Sequence, residues 1–416
     1  MSLKKRIERK TSVLQNKNVS AVGITSDAKI SHHAKQLSKQ LQLLRERLFP
    51  PSSEKALKTF SSGEAAQLVG VSDGYLRQLS LDGKGPAPDI SQTGRRSYTL
   101  GQIHELRQHM AAIKPKDALT YLPWRKHGEK LQTIAVANFK GGSAKTTTSI
   151  YLAQYLVLQG YRVLAVDLDP QASLTSMLGV QPEFDLAEGD TLYGAIRYDD
   201  KRRPLRDIIR KTYFTGLDLV PGNLELMEFE HETPRALIER KTAQGEIFFK
   251  RVGSAIAEVE ADYDVVIIDC PPQLGYLTLG AVCAATSLLI TIHPQMVDVA
   301  SMSQFLLMTS DLLSVVRKAG GDLNHDFIRY VITRHEPFDG PQGQIVALLR
   351  SLFREEVLAA TVVKSTAIAD AGLTKQTLYE IERGQVRRTT YDRAIESLDA
   401  VNGEILESMK IAWGRV

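Results

Sequence analysis

The chain has 416 residues, 43% of them hydrophobic and 24% charged, the balance of a globular protein and not of a disordered or collagen-like one. Its two cysteines, Cys270 and Cys283, form no CxxC pair, which excludes a disulfide scaffold or Cys-ligated zinc and fits a reducing cytoplasm. The net charge of +4 conceals a division: residues 1–130 carry 23 Lys+Arg against 11 Asp+Glu, and residues 131–416 carry 29 against 37. A basic front on an acidic body predicts a polyanion-binding appendage, or else a solvated basic tail, since five basic residues crowd into Lys4–Lys10. No apolar run approaches the ~20 residues of a membrane span, and no apolar stretch follows the basic MSLKKRIERK start as in a secretory signal.

Residues 1–29 are polar and aperiodic, and a flexible arm is expected there. Residues 30–52 predict a helix with Leu37, Leu41, Leu44 and Leu48 on one stripe, ended by Pro50-Pro51. A stripe this short needs a partner, either the body or a second copy. Residues 53–128 predict a small helical unit followed by a linker. Ser61-x-x-Glu64 is a capping box, Gly70 marks a turn, and Ser72 caps a second helix carrying Tyr75, Leu76 and Leu79. Gly94-Arg95-Arg96-Ser97-Tyr98 predicts a hairpin tip and return strand, and Thr99-x-x-Gln102 caps a further helix. Pro115, Pro123 and a charge run predict a linker over 113–130.

The capped hairpin with its wing resembles the winged helix-turn-helix of MerR-like DNA-binding domains. That resemblance places Tyr75, Arg77 and Gln78 toward DNA and Arg95 and Arg96 in the wing. A helical hairpin that only packs or dimerises is the alternative.

From residue 129 to 416 strands alternate with helices, which predicts an α/β domain with a mostly parallel sheet flanked by helices. Candidate strands are Thr133–Ala137, Arg162–Val166, Leu217–Val220, Val265–Ile268, Ser287–Ile292, Tyr330–Thr333 and Val357–Thr361. Several are apolar runs without alternation, as for strands covered on both faces.

The strongest signal is Lys140-Gly141-Gly142-Ser143-Ala144-Lys145-Thr146-Thr147, between a predicted strand and a predicted helix. Small residues let backbone N–H groups turn around a polyphosphate, and the helix N-terminus adds positive charge. Lys145 would reach phosphates and the Thr146 hydroxyl a Mg²⁺ ion. The strict G-x-x-x-x-G-K-[ST] pattern fails at Phe139 and Ala144, and Lys140 opens the loop instead. Asp167 and Asp169 follow one predicted strand and Asp269 ends another, where parallel sheets bind ligands.

These segments resemble the deviant Walker A ATPases, in particular ParA-type DNA partition proteins, over essentially residues 131–400. The added helix-turn-helix resembles the larger plasmid-borne branch, as in RepA proteins of repABC plasmids. The resemblance implies ATP, hydrolysed to ADP, and Mg²⁺, sandwiched in a homodimer. It implies that Lys140 reaches the partner's nucleotide and that Asp169 activates the attacking water. It further implies that Lys145, Thr146, the loop backbone and Thr333 hold nucleotide, and that Thr146, Asp167 and Asp269 serve the metal. A ParB-type centromere-binding protein would stimulate turnover, and the protein would sit on the nucleoid in the cytoplasm and repress its own operon. Weak basal turnover suits such a switch.

Related families fit less well. The cysteines do not suggest a nitrogenase-type cluster, the C-terminal helix is too acidic for a MinD-type membrane anchor, and the loop is not duplicated as in arsenite pumps. Arg350, Arg354, Lys364 and Lys375 are the body residues expected at a non-specific DNA face. The rival function is a transcriptional repressor that senses nucleotide with negligible hydrolysis.

Overall fold

The computed structural model describes residues 25–48, 55–138, 140–239, 247–321 and 323–415. Helices of eight residues or more are numbered below. Helix α1 (Ser26–Leu48) lies in a unit of its own that ends at Glu54. It starts inside the segment expected to be an arm, with Asp27 complementing the dipole of its first turn. Leu37 is exposed. The side chains of Leu41, Leu44 and Leu48, the arm before Thr25 and Pro50-Pro51 lie outside the described residues.

Residues 55–416 form a second unit. It opens with strand β1 (Phe60–Ser61) and helix α2 (Ser62–Val69). The Ser61 hydroxyl accepts from Glu64 N–H, and the Glu64 carboxylate accepts from Ser61 N–H at 2.8 Å, the capping box expected from sequence. Gly70 takes φ 81°, a left-handed turn open to glycine, and releases the chain into α3 (Asp73–Leu81), capped by Ser72. Strands β2 (Asp89–Ile90) and β3 (Arg96–Tyr98) join β1 in an antiparallel sheet of order β1-β3-β2, and α4 (Leu100–Ile113) starts at the Thr99–Gln102 box. Leu76, Leu79, Ile103, Leu106 and Met110 bury the shared face.

The body is built on β4 (Gln132–Ala137), α5 (Lys145–Leu158), β5 (Val163–Asp167), β6 (Arg210–Lys211) and β7 (Leu217–Val220). It continues through α6 (Leu226–Ile238), α7 (Phe248–Ala257), β8 (Val265–Asp269), α8 (Tyr276–Ala284), β9 (Ser287–Ile292) and α9 (Met296–Lys318). Strand β10 (Phe327–Ile332) and helices α10 (Gly340–Phe353), α11 (Thr366–Leu373) and α12 (Arg388–Ala412) complete it. The sheet runs β10-β9-β4-β8-β5-β7-β6, parallel except at β6. Strands β4, β5, β8 and β9 are buried at every residue, which is why their sequences are apolar runs and not alternations. Separate hydrophobic clusters fill the two faces.

Two expectations need correction. Val357–Thr361 forms no strand: only isolated bridges join Tyr330 to Val357 and His335 to Val363. The Glu404 carboxylate takes the Ala359 and Ala360 N–H groups at 2.7 and 2.6 Å, so they are not free for a ladder. Residues 113–130 are not a loose linker. They hold a 3₁₀ turn at Pro115–Asp117 and a helix at Ala118–Tyr121, Trp124 Nε1 donates to Gly160 O at 3.0 Å, and Arg125 Nε donates to Tyr263 O at 3.1 Å. Helix α9 is long and apolar enough, by length and composition alone, to cross a membrane, although no uninterrupted apolar run in the sequence is. Here it is the crossover between parallel strands β9 and β10, with Met302, Phe305 and Val316 buried beneath it.

The α2–α4 unit and the sheet share one core, and the joint is polar at its centre. Buried Arg107 of α4 donates to Tyr121 O at 3.1 Å, to Leu158 O at the end of α5 at 2.8 Å, and to Leu68 O. Burial lowers its guanidinium to about 10, so it remains charged at neutral pH. Gly160 (φ 99°) faces that guanidinium, and a Cβ there would meet Arg107 Nη1 at 2.9 Å. Replacing Arg107 by alanine leaves three carbonyls without their donor, each worth about 1 kcal/mol or more when buried. The expected loss of stability is about 3 kcal/mol by urea denaturation; a loss below about 0.5 kcal/mol would place no weight on the joint.

Candidate functional site

Strand β4 delivers its C-terminal end to a loop that wraps the start of α5. Asn138 fixes the turn-out: its Nδ2 donates to Thr291 O at 2.6 Å and its Oδ1 accepts from Lys140 N at 3.0 Å. Phe139 lies outside the described residues. Gly141 is exposed, and Gly142 adopts φ 78°. Buried Ser143 is gripped from two neighbouring segments: Thr291 Oγ1 on β9 donates to its Oγ at 3.0 Å, and Thr333 Oγ1, just past β10, donates to its carbonyl at 3.1 Å. Thr333 therefore meets the loop through its backbone. Ala144 takes φ 66°, ψ 29° and caps α5 without a side-chain hydrogen bond.

Behind the loop lie the carboxylates. Register places Asp167 of β5 beside Asp269 of β8. Asp269 accepts from Thr146 Oγ1 at 2.7 Å and from Ser149 Oγ at 2.9 Å. Asp167 accepts from Thr175 N–H at 2.8 Å, Thr175 Oγ1 at 2.7 Å and Asp169 N–H at 3.1 Å. Both are fully buried: burial and then the Asp269 charge raise the pKa of Asp167, and burial, with a last contribution from Asp169, raises that of Asp269 despite these donors. Buried Lys145 donates to Lys140 O at 3.2 Å; burial lowers its ammonium, and Asp269 and Asp169 oppose that shift. Asp169 is half-buried, and its Oδ1 accepts from Gln171 N–H at 2.9 Å.

A cavity of about 390 Å³ opens beside the loop, lined by Ala144, Thr147, Tyr151, Arg334, Val362 and Asn402 among others. Its walls come from α5, the turn after β10, the segment before α11 and α12, so no local motif marks it. Arg334 (φ 53°) donates from Nη1 to Gly142 O at 3.2 Å, a further cation on the loop that no sequence motif indicated. Cys270 is fully buried and burial pushes its thiol up, while Cys283 rises to about 11, so both are inert packing residues.

The residues fit a polyphosphate with a hard divalent cation. A helix N-terminus of fourteen-residue α5, a lysine and backbone N–H groups suit the anion. Among the described residues no cluster of three His, Cys, Asp or Glu could hold a metal alone. A hydroxyl and two buried carboxylates whose raised pKa values call for a cation suit Mg²⁺, which usually keeps waters and phosphate oxygens as ligands.

Other predicted residues are placed less closely. The Lys140 ammonium is not aimed at the loop: it is paired with Asp298 at the start of α9. Tyr75, Arg77 and Gln78 are exposed on α3, although Gln78 Nε2 donates to Asp82 at 2.6 Å. Arg95 is exposed beside Gly94, and Arg96 is half-buried on β3. Arg350 donates to Ala359 O at 2.6 Å, Arg354 is exposed at the end of α10, Lys364 pairs with Glu336 at 2.9 Å, and Lys375 is half-buried after α11. These four are spread over three segments of chain.

The sheet order and the loop between β4 and α5 define a P-loop α/β protein of the ATPase class. A family model described as an AAA domain matches residues 131–319. "Putative replication protein A" of Sinorhizobium fredii is 55% identical over 379 residues, covering 91% of this chain and 93% of that protein. Protein SopA of Escherichia coli strain K12 is 31% identical, covering 83% and 84%. A solved structure described as a partition protein superposes with a TM-score of 0.63 at 19% identity, covering 91% of this chain and 98% of that one, a likeness of fold. The chain belongs to the ParA-type partition ATPases of plasmid origin.

The left-handed Ala144 is strained by its methyl group, by about 1 kcal/mol. Ala144→Gly is expected to raise the stability of the nucleotide-free protein by about 0.5–1 kcal/mol in urea, and a loss would contradict the strain. The buried carboxyls set a pH dependence as well. Because their folded pKa values are raised, the folded state retains protons that the unfolded chain releases above about pH 4. Stability is therefore expected to fall as pH rises from there toward the raised folded values. Asp269→Asn should flatten that fall in urea midpoints measured across the range, and an unchanged slope would show that the pair does not cause it.

Proposed function

We propose that this protein is an ATP-hydrolysing, plasmid-partition switch of the deviant Walker A type. The observation that carries the reading is the register of Asp167 beside Asp269, with Thr146 donating to Asp269 at the first turn of α5. In this reading the loop N–H groups and Lys145 bind the phosphates of ATP, with Thr333 holding Ser143 in place. The cavity beside Ala144 and Tyr151 takes the base and ribose. Mg²⁺, when bound, neutralises charge on the terminal phosphates. Thr146 provides a hydroxyl to its shell, and Asp167 and Asp269 orient that shell. Asp169, at the end of the same segment and less buried, positions and deprotonates the attacking water. This is positioning and charge compensation, the main demands of phosphoryl transfer.

Two ATP-bound copies would face each other, with Lys140 crossing to the partner's nucleotide. The ATP dimer would bind DNA without sequence preference through body residues such as Arg354 and Lys375, which places it on the nucleoid. The winged helix-turn-helix, residues 53–128, would read an operator with Tyr75, Arg77 and Gln78 and touch backbone with Arg95 and Arg96. Its exposed α3 and its basic balance support that role. A ParB-type protein would speed hydrolysis and release the DNA. Weak basal turnover fits a state that must persist.

The test is ATP turnover with and without DNA and the cognate ParB-type partner. Wild type is expected to be slow alone and faster with both. Asp169→Ala should lose about 100-fold or more in phosphate release, with ATP affinity changed less than about threefold. No phosphate release from wild type under any condition would leave the nucleotide-sensing repressor as the function.

A further inference from the structure

Strand β9 is the neighbour of β4 in the sheet, so the turn after β9 lies against the loop after β4. That turn carries His293 and opens α9 at Met296, with Asp298 in the first helical turn. Asp298 is drawn on from three directions. The N-terminal dipole of α9 favours its charge. His293 Nδ1 lies 3.0 Å from Oδ2. The Lys140 ammonium is in ion-pair contact with Oδ1. Asp298 is 11% exposed and Lys140 38%, so the acid is the fixed partner and the lysine the one with freedom to leave. The backbone of Lys140 is independently held by Asn138, and its carbonyl by Lys145. Only the side chain of Lys140 depends on Asp298.

We propose that Asp298 is a positioning residue for Lys140: it holds the ammonium within its own protomer at the rim of the phosphate loop, and Lys140 acts on a second copy's nucleotide only by exchanging this carboxylate for a phosphate. His293 is the support, fixing the carboxylate from the side away from Lys140. The inference rests on the dimer reading above. Its physical content is a competition. The phosphates must outbid a preformed ion pair, so the carboxylate sets how much ATP is needed before the two copies engage. An uncharged group at 298 would lower that requirement, and a longer acid would keep it. The site for the nucleotide within one protomer does not include Asp298, so binding of ADP to a single copy should not feel the change.

The experiment uses the full chain as wild type, Asp298→Asn, Asp298→Glu, Lys140→Ala and the Lys140→Ala/Asp298→Asn pair. First, the nucleotide-free proteins are acylated with an amine-directed succinimidyl ester, and labelling of Lys140 is read by peptide mass spectrometry. Asp298→Asn is expected to raise Lys140 labelling several-fold, with Asp298→Glu near wild type. Second, the ATP-dependent change in sedimentation is titrated. Asp298→Asn should reach its midpoint at about fivefold lower ATP, the scale of one partly exposed ion pair. ADP affinity should stay within about twofold, and the substitution should have no further effect when Lys140 is alanine. Unchanged labelling together with an unchanged midpoint overturns the proposal, and so does a shift that persists without Lys140. A wild type that labels as expected but shows no response to ATP overturns the dimer reading, and the exchange with it.

Discussion

Asp269 is the group around which the molecule is arranged. It is fully buried at the end of a central strand, and a buried carboxylate must be compensated by donors or a cation. Two hydroxyls from the first turns of α5, Thr146 and Ser149, supply part of that compensation. In doing so they dock the start of α5 against the sheet and aim its N-terminus at the loop. The second acid, Asp167, sits one strand away with its own donors. The negative charge that these donors leave uncompensated is what a bound divalent cation would neutralise. The phosphate loop, the helix and the acids are thus one electrostatic arrangement.

The same helix extends that arrangement to the other end of the protein. The carbonyl of Leu158 at the end of α5 accepts from Arg107 of α4. The glycines at 160 and 216 let α4 approach, since a Cβ would collide with Arg107 at one and His104 at the other. One helix therefore touches the loop after β4 at its start and the α2–α4 unit at its end. A basic front joined to an acidic body by a flexible tether would separate the two. The shared core makes the α2–α4 unit and the nucleotide site parts of one body.

The features legible in sequence were those decided within a few residues. The boxes Ser61–Glu64 and Thr99–Gln102, the turn at Gly70 and the apolar runs of β4, β5, β8 and β9 each follow from local spacing. Asp167 and Asp269 were legible too, because a carboxylate directly after an apolar run marks a strand end. The strain at Ala144 depends on its left-handed φ, which the spacing of the loop residues does not give. The features hidden from sequence depend on contacts across the chain. The Lys140–Asp298 pair, the cavity walls at Val362 and Asn402, and Arg334 on Gly142 all come from distant segments. Residues 113–130 had a linker's composition, but Trp124 and Arg125 find carbonyl acceptors on the body. The two-residue edge strand β6 is too short to carry a pattern.

If the paired buried acids form a Mg²⁺-ATP site with the α5 N-terminus, ligand binding must release protons, and that release can be measured. Calorimetric titration of ATP, with and without Mg²⁺, in two buffers of different ionisation enthalpy at about pH 7.5 reads both affinity and protons. Because burial raises the pKa values of Asp167 and Asp269, a cation arriving beside them must lower these values again. Binding is expected to be tighter with Mg²⁺ and to release protons to the buffer, with a smaller release from Asp269→Asn. Equal affinity with and without Mg²⁺, and heats identical in the two buffers after correction for ATP itself, would contradict it.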